Sequence, residues 1–204
     1  MVLACITMFL SLAHLLSAMP LHCELLHPQT PDNTTASKLL GKWFYIAGAS
    51  QSPIHLLEMV LIDNAYLDVN PTGQEQELLI NQHVTAGNKC FSSNSTYFEV
   101  SLNNATLIKS AKNQHAMGKL MRSSSEDILL IHYQAHKEKN YTGLHLYARN
   151  QNLSETQLQE FRGHAKCLSL SDEEIIYAPW QKELCQMKET KQTTPQTRRC
   201  QLQS

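Results

Sequence analysis

The sequence predicts a mainly β protein, an antiparallel barrel or sandwich followed by one C-terminal helix. Three observations support this fold class. Between Gly41 and about Tyr147, eight short runs are rich in β-branched and aromatic residues, and polar turn residues separate them. After those runs the hydrophobic period changes to that of a helix. The length of 204 residues fits one globular domain.

The N-terminus has the pattern of a secretory signal peptide. Ile6 to Leu16 form an apolar run of 11 residues, which is too short to span a bilayer, and the small residues Ser17 and Ala18 follow it. We therefore expect a signal peptide over 1–18 and secretion of the protein; the alternative is a buried N-terminal core helix. Later stretches never reach 18 consecutive apolar residues, so no membrane span is predicted.

Eight strands are predicted from the runs and the turn residues between them. Alternation is clear in Phe98, Val100 and Leu102, as a strand with two different faces requires. The predicted strands are Lys42–Ala49, Met59–Val69, Glu77–Val84, Thr96–Leu102, Thr106–Ser110, His115–Met121, Ile128–Gln134 and Leu144–Tyr147.

A helix is predicted after the strands. Its apolar residues are spaced 3, 4 and 3 apart, so they share one helix face that we expect to pack outside the barrel: Leu158, Phe161, Ala165 and Leu168. Ser154 and Gln157 have the spacing of a capping box at the start of this helix. One last short strand is predicted at Ile175–Tyr177.

The C-terminal residues 186–204 are polar, with four basic residues against one acidic residue over 188–199. Such a composition is typical of a solvated, mobile tail, although a specific anionic partner is the alternative. The predicted organisation is therefore a signal peptide over 1–18, one folded domain over 19–185 and a polar tail over 186–204.

Composition excludes several classes of protein. The chain is 42% hydrophobic and 17% charged with a formal net charge of -1, so neither a disordered protein nor a nucleic-acid binder fits it. It has 7 glycines and neither glycine-rich phosphate-binding motif, so no nucleotide cofactor is expected. H-E-x-x-H and G-x-S-x-G motifs are also absent. We expect no cofactor, no catalytic residues and no enzymatic activity.

Cysteine usage fits an oxidising compartment. Cleavage after Ala18 would remove Cys5 and leave five cysteines. These can form two disulfides with one cysteine unpaired in fifteen different ways. C-x-x-C is absent, which argues against structural zinc. His132 and His136 have a helical zinc spacing but lie on a predicted strand, so no metal site is predicted.

Five N-x-[ST] sequons follow the signal-like segment, and so many in one chain indicate an extracellular glycoprotein. Each glycosylated asparagine should face solvent. The sequon residues are Asn33, Asn94, Asn104, Asn140 and Asn152.

The residues around the first strand carry a family resemblance. Gly41-Lys42-Trp43 resembles the lipocalin G-x-W signature, and the run that continues through Phe44-Tyr45-Ile46-Ala47 is similar to the orosomucoids, a branch of that family. The similarity continues through Asn94-Ser95-Thr96-Tyr97 and Gln157-Leu158-Gln159-Glu160-Phe161 and covers nearly the whole mature chain.

This resemblance implies an eight-stranded up-and-down barrel with an external helix. It also implies two disulfides, Cys23 with Cys167 and Cys90 with Cys185, which leaves Cys200 unpaired. Gly41 and Trp43 would have structural roles, with Trp43 closing one end of the barrel.

The resemblance further implies a ligand cavity inside the barrel. Positions that match family pocket residues are Tyr45, Lys109, Tyr133 and Tyr147. A tyrosine offers a flat apolar ring with one hydroxyl, but each of these residues could also be an ordinary packing residue. His55 stands where the family has a tyrosine, and Asn81 and Ala86 stand where it commonly has arginines near the pocket mouth.

We also expect His55 and His145 to belong to the cavity, where histidines could make ligand binding depend on pH. His83 and His132 carry the same expectation if they line it.

The function implied is that of a secreted, monomeric carrier of a small lipophilic ligand that is drug-like, steroid-like or a lipid. An acute-phase or immunomodulatory role would accompany it. The alternative is a secreted glycoprotein that acts mainly through protein-protein contacts. A carrier requires a deep apolar cavity, whereas the alternative requires a filled barrel and a large exposed apolar patch.

Overall fold

A computed structural model gives the fold of the chain. It describes 23, 27–30, 32, 34–74, 76–101, 106–111, 114–136 and 140–181, with side chains for all of these except 94–99, 109–111, 114–116, 135, 136 and 140. The predicted signal peptide over 1–18 and the predicted tail over 186–204 lie outside the described residues.

Strands dominate the described part of the chain. In chain order its elements are α1 (Thr35–Leu39), β1 (Gly41–Ser50), α2 (Pro53–Val60), β2 (Ile62–Pro71), β3 (Glu77–Ala86), β4 (Lys89–Ser101), β5 (Thr106–Ala111), β6 (Gln114–Met121), β7 (Ile128–His136), β8 (Asn140–Ala148), α3 (Glu155–Cys167), a 3₁₀ turn (Asp172–Glu174) and β9 (Ile175–Tyr177).

The strands form one antiparallel sheet that curls and closes on itself. Each strand from β2 to β7 pairs with the next along the chain, and β1 pairs with both β2 and β8. The predicted up-and-down arrangement of eight strands is therefore confirmed. β9, which the sequence also predicts, adds a ninth strand by pairing with Ala47–Ala49 of β1.

Both faces of the sheet bury apolar side chains. Inside the barrel, one cluster includes Trp43, Leu67 and Val100. Outside it, a second cluster joins β8 to helix α3 and includes Leu146 and Phe161. The outer side chains of β8 are therefore covered by the helix, while its inner side chains face the barrel interior.

Helix α3 confirms the predicted stripe and cap. Phe161 and Ala165 are fully buried on the face that packs against β8. The Ser154 hydroxyl accepts a hydrogen bond from the Gln157 backbone N–H at 3.3 Å. In return, Gln157 Oε1 accepts one from the Ser154 backbone N–H at 2.9 Å, which completes the capping box.

The beginning of the second predicted strand is wrong. Met59 and Val60 end helix α2, and β2 begins at Ile62. The Ser52 side chain caps α2 by accepting from the His55 backbone N–H, and Pro53 stands at the first helical position, where it needs no donor. The short helix α1 is not predicted either.

A disulfide joins the N-terminal segment to α3. Cys23 and Cys167 are bonded with an S–S distance of 2.10 Å across a sequence separation of 144, which confirms that pairing. Cys90 is also disulfide-bonded. Its predicted partner Cys185 lies outside the described residues, as does Cys200, so the second pairing stays a prediction.

One predicted glycosylation residue is fully described. Asn152 is exposed in the connection between β8 and α3, where a glycan would meet solvent. Asn33 and Asn104 lie outside the described residues, and the side chains of Asn94 and Asn140 are not described.

Within the described ranges, no helix is both long enough and apolar enough to cross a membrane. In that same part of the chain, no group of three or more His, Cys, Asp or Glu side chains could hold a metal ion. His132 Nε2 instead lies 2.7 Å from the Thr142 hydroxyl on the neighbouring strand β8.

Candidate functional site

A cavity of about 300 Å³ opens inside the barrel beneath helix α2. Its walls come from the inner faces of β1, β2, β3, β7 and β8, and α2 covers it. The lining residues are Tyr45, His55, Glu58, Met59, Ile62, Ala65, Gln82, Tyr133, His145 and Tyr147.

Five of the six residues that the sequence places in the site line this one cavity: Tyr45, His55, Tyr133, His145 and Tyr147. The sixth, Lys109, lies on β5, where its backbone pairs with Phe98 and Ala116, but its side chain is not described. The structure thus brings the predicted aromatic residues together, and their contact with a ligand stays a prediction. His83 and His132 are not among the lining residues.

An irregularity in the pairing of β1 determines which of its side chains face the cavity. The pairing of β1 with β8 shifts register between Tyr45 and Ala47. Such a bulge changes which residues of a strand share one face. Tyr45 and Gly48, three residues apart, can therefore both face the interior.

Gly48 leaves room for the side chains that enter this part of the cavity. A Cβ atom at Gly48 would overlap with the Tyr45 hydroxyl and the Met59 sulfur. These two groups therefore meet over the glycine, between β1 and helix α2, in the space that a larger residue would fill.

Gly143 on β8 likewise leaves room for a neighbouring side chain, that of Tyr133 on β7. The two residues are directly paired across the strands, and a Cβ atom at Gly143 would overlap with the Tyr133 ring. The ring therefore lies flat over the glycine. Tyr133 Oη lies 3.5 Å from His55 Nδ1 of α2, and a hydrogen bond from Ser50 also reaches the Tyr133 side chain.

His145 lies at the centre of the aromatic residues. Its ring centroid is 4.7 Å from that of Tyr133, 5.7 Å from that of Tyr45 and 6.1 Å from that of Tyr147. Burial among these rings, with a smaller contribution from nearby His55, lowers the pKa of His145 to about 4. The imidazole is therefore neutral at physiological pH.

The tyrosines that line the cavity are neutral as well. Burial raises the pKa of Tyr45, Tyr133 and Tyr147 above the ordinary tyrosine value. Glu58 is the one acidic residue among the described lining residues, and neither lysine nor arginine is among them. Glu58 is exposed on α2, so the interior offers rings and neutral polar groups to a ligand.

Trp43, which the family resemblance places at the closed end of the barrel, is not among the residues that line this cavity. This side chain is 2% exposed, and its Nε1–H donates to the Leu39 carbonyl at 2.7 Å. The Arg149 guanidinium lies 3.6 Å above the tryptophan ring, a cation–π contact, and also donates to the Lys42 carbonyl. Gly41 has a φ of 93°, a conformation that favours glycine.

A second cavity of about 450 Å³ lies at this closed end. It contacts Trp43 from outside and is lined largely by polar residues of the β6–β7 connection, including Ser123, Ser124 and Glu126. Since its lining lacks the group of tyrosine and histidine rings found in the smaller cavity, we take the cavity beneath α2 as the candidate site.

Sequence reasoning missed half of the lining residues: Glu58, Met59, Ile62, Ala65 and Gln82. Glu58 and Met59 were missed because helix α2 was not predicted, although Ser52-Pro53 is a helix-start signal. Gln82 lies between Ile80 and Val84 on the inner face of β3, so strand alternation could have found it.

Comparisons with known proteins agree with this architecture. A model of the lipocalin / cytosolic fatty-acid binding protein family matches residues 40–182. Alpha-1-acid glycoprotein of Oryctolagus cuniculus is 29% identical over 177 residues, 87% of each chain. That of Bos taurus is 28% identical over 175 residues, 80% of this chain and 86% of the relative. The solved structure of lipocalin 12 from rat epididymis has the same fold, with a TM-score of 0.65 at 13% identity, over 80% of this chain and 94% of that one.

Proposed function

Because this chain belongs to the lipocalin family, we propose that it binds one small lipophilic molecule inside the barrel and carries it. The observation that supports this most directly is the cavity of about 300 Å³ lined by Tyr45, Tyr133, His145 and Tyr147. Ligand sites in proteins are typically cavities of roughly 300 to 1,000 Å³ with apolar and aromatic walls and a few polar groups. The cavity is at the lower end of that range, which favours a small ligand.

Affinity would come chiefly from apolar surface removed from water. This contribution is roughly 25 cal/mol for each Å² that is buried. The tyrosine rings offer flat apolar faces at low conformational cost, while their hydroxyl groups orient the ligand. A drug-like, steroid-like or lipid molecule with a compact ring system suits these walls.

The proposal includes secretion of the protein as a monomeric glycoprotein, with a signal peptide over 1–18 and a folded domain over 19–185. The Cys23–Cys167 disulfide supports an oxidising compartment, and exposed Asn152 supports glycosylation. The similarity to alpha-1-acid glycoproteins supports an acute-phase or immunomodulatory role as part of the same proposal.

A second candidate function is contact with another protein through helix α2. Its outward side is apolar, with Ile54, Leu57 and Leu61 each at least 60% exposed. That alternative also requires a barrel interior filled with side chains, whereas this interior holds a cavity. The carrier function is therefore the better supported of the two.

Native mass spectrometry of the protein from its natural source tests the carrier function. We expect an added mass of one small molecule per chain, which is lost on denaturation. A matched pair of variants then locates it: Ala65→Phe fills the cavity from β2, and Lys119→Phe adds the same ring to an exposed position on β6. We expect Ala65→Phe to lose the ligand and Lys119→Phe to retain it. A folded protein that retains no small molecule and takes up no lipophilic probe would contradict the proposal.

A further inference from the structure

Polar side chains on three neighbouring strands are in contact on the outer face of the barrel. His83 of β3 lies directly opposite Ser92 of β4 in the strand register, and its Nδ1 is 2.9 Å from the Ser92 hydroxyl. Its other ring nitrogen, Nε2, lies 3.6 Å from Oδ2 of Asp68 on β2. One imidazole therefore stands between a serine and a carboxylate.

This group of side chains is separate from the cavity beneath α2. Gln82 lines that cavity and Val84 packs against the cluster inside the barrel, so His83 between them faces outward. Ser92 is paired with His83 and shares its face. Asp68 lies between two residues of the inner cluster on β2 and faces outward for the same reason.

The histidine is held in place, whereas the serine is accessible. His83 is 5% exposed, and its ring is stacked on that of Tyr66 with centroids 4.6 Å apart. Lys42 Nζ lies 4.0 Å from Asp68 Oδ1, so the other carboxylate oxygen is the one that faces the imidazole. Ser92 is exposed. A molecule from solvent can therefore reach the hydroxyl, while the imidazole behind it is fixed.

The carboxylate determines which nitrogen of His83 carries the proton. An ionised carboxylate only accepts hydrogen bonds, so it favours the tautomer with the proton on Nε2. Nδ1 then keeps its lone pair and can accept the hydrogen bond that the Ser92 hydroxyl donates. A serine beside a histidine that a carboxylate orients is the arrangement that activates a hydroxyl as a nucleophile, and it is defined by geometry rather than by sequence order.

We propose that Ser92 is a nucleophile that takes the acyl group of a small activated ester, with His83 as general base and Asp68 as a positioning residue. Ser92 Oγ forms a bond to the ester carbonyl carbon while its proton passes to His83 Nδ1. The bond from that carbon to the leaving oxygen then breaks, and the leaving group takes up the proton. Water hydrolyses the acyl-serine by the same route, which releases the carboxylic acid and restores the hydroxyl. This inference does not depend on the carrier function.

The exposure of Ser92 determines which esters suit the site. A molecule bound on the surface of a sheet buries little apolar area and gains little affinity from it. The reaction therefore depends on the ester itself, and aryl esters of short carboxylic acids, whose phenolate is a good leaving group, are the expected substrate class. No sequence motif marks the site, because its residues come from three strands and G-x-S-x-G does not surround Ser92.

The full-length protein with para-nitrophenyl acetate as the probe tests the proposal. Release of nitrophenolate is followed over time, and peptide mass spectrometry after acid quenching locates the acetyl group. We expect acetylated Ser92 and nitrophenolate release that continues after the first turnover. Lysine side chains react with the same ester, so the location of the acetyl group and the comparison of variants are decisive.

Ser92→Ala and Ser93→Ala form a matched pair. Both serines are exposed and adjacent, but strand alternation directs Ser93 to the opposite face, away from His83. We expect Ser92→Ala to abolish continued nitrophenolate release and Ser93→Ala to leave it unchanged. Equal rates in wild type and Ser92→Ala, or acetylation confined to other residues, would overturn the proposal.

Variants of the other two residues test their roles. His83→Gln should slow acetylation of Ser92 about a hundredfold, as the loss of a general base would. It should also remove the fall in rate at acidic pH that protonation of the imidazole causes in wild type. Asp68→Asn should slow acetylation at least about tenfold, because an amide can reverse the tautomer of His83, and Asp68→Glu should recover part of the rate.

Circular dichroism of each variant is compared with that of wild type first, because His83 is buried. Asp68→Asn keeps the shape of the side chain and provides the second test if His83→Gln fails to fold. A folded His83→Gln or Asp68→Asn protein that acetylates Ser92 at the wild-type rate would show that the three side chains do not act together.

Discussion

At the scale of single residues, Trp43 is a core residue that we expect to stabilise the barrel. It is almost fully buried, bonded to Leu39 and covered by Arg149. Trp43→Ala would leave a large void there, and such changes typically cost about 3 to 5 kcal/mol of unfolding free energy. We expect a loss of that size in urea denaturation, with little change in ligand affinity for the fraction that stays folded.

Trp43→Phe is the control for this prediction. It keeps an aromatic ring beneath Arg149, so the loss should be clearly smaller than with alanine. A Trp43→Ala protein with wild-type stability but weakened ligand binding would show that the residue belongs to the binding site instead.

His145 makes stability depend on pH. Its pKa falls from 6.5 in the unfolded chain to about 4 in the folded protein, because burial among rings disfavours the charged form. Between those values the unfolded chain holds a proton that the folded protein lacks. The contribution of neutral His145 to the free energy of unfolding is therefore fully present above pH 6.5. It is lost as the pH drops towards 4, by an amount on the order of 3 kcal/mol.

Denaturation curves of wild type and His145→Gln between pH 7.5 and 4 would measure this contribution. The variant should lose less stability over the range, because glutamine does not titrate. His132 and His164, whose pKa values are also lowered by burial, remain in both proteins and cancel in the comparison. Parallel curves for the two proteins would contradict the assignment to His145.

Residue identity alone accounts for part of the candidate site. Tyr45 and Tyr147 stand on the first and last strands of the predicted barrel, which pair when the ring closes, so their meeting was predictable. The unpaired state of the buried Tyr45 hydroxyl was not. It depends on the register shift in β1 and on the position of the Met59 side chain, and no pattern in the sequence predicts either of these features.

At the scale of elements, Gly143 of β8 leaves the space in which the Tyr133 ring of β7 packs against β8. Gly143→Ala would push against the Tyr133 ring, and overfilling a packed interior typically costs about 1 to 3 kcal/mol. We expect a loss of that size in unfolding free energy. Replacing the ring by a smaller side chain in Gly143→Ala/Tyr133→Leu should recover part of it.

The four proteins form a double-mutant cycle, which isolates the coupling between the two residues. Additive losses would mean that the added methyl group and the ring do not meet. Circular dichroism of each variant would check that the sheet is retained.

Element types were predictable where the hydrophobic period was unbroken. The capping box and apolar stripe of α3 and the predicted strand Leu144–Tyr147, which lies within β8, are examples. Helix α2 was missed because its apolar residues run directly into β2 without a polar break, so Met59 and Val60 read as the start of a strand. The exposure of Ile54 and Leu57 also departs from the usual pattern, in which an apolar helix face is buried.

At the scale of the whole molecule, the Cys23–Cys167 disulfide joins distant parts of the chain. It closes a loop with a sequence separation of 144, for which the chain-entropy model gives a stabilisation of about 5 kcal/mol. We expect Cys23→Ser/Cys167→Ser to melt at a clearly lower temperature than wild type in calorimetry.

Cys200→Ser serves as the reference, because Cys200 is predicted to be unpaired. Its melting temperature should equal that of wild type. Equal melting temperatures for the double variant and wild type would show that the crosslink adds nothing to stability.

The closed sheet has a consequence for synthesis of the chain. β1 is one of the first elements made, yet its hydrogen-bonding partners β8 and β9 are among the last. A chain that ends before Ile175 therefore leaves Ala47–Ala49 paired with β8 but open on the side where β9 would pair, and such an open edge invites pairing with other chains. The barrel can therefore close only after β8 has been made, late in the synthesis of the chain.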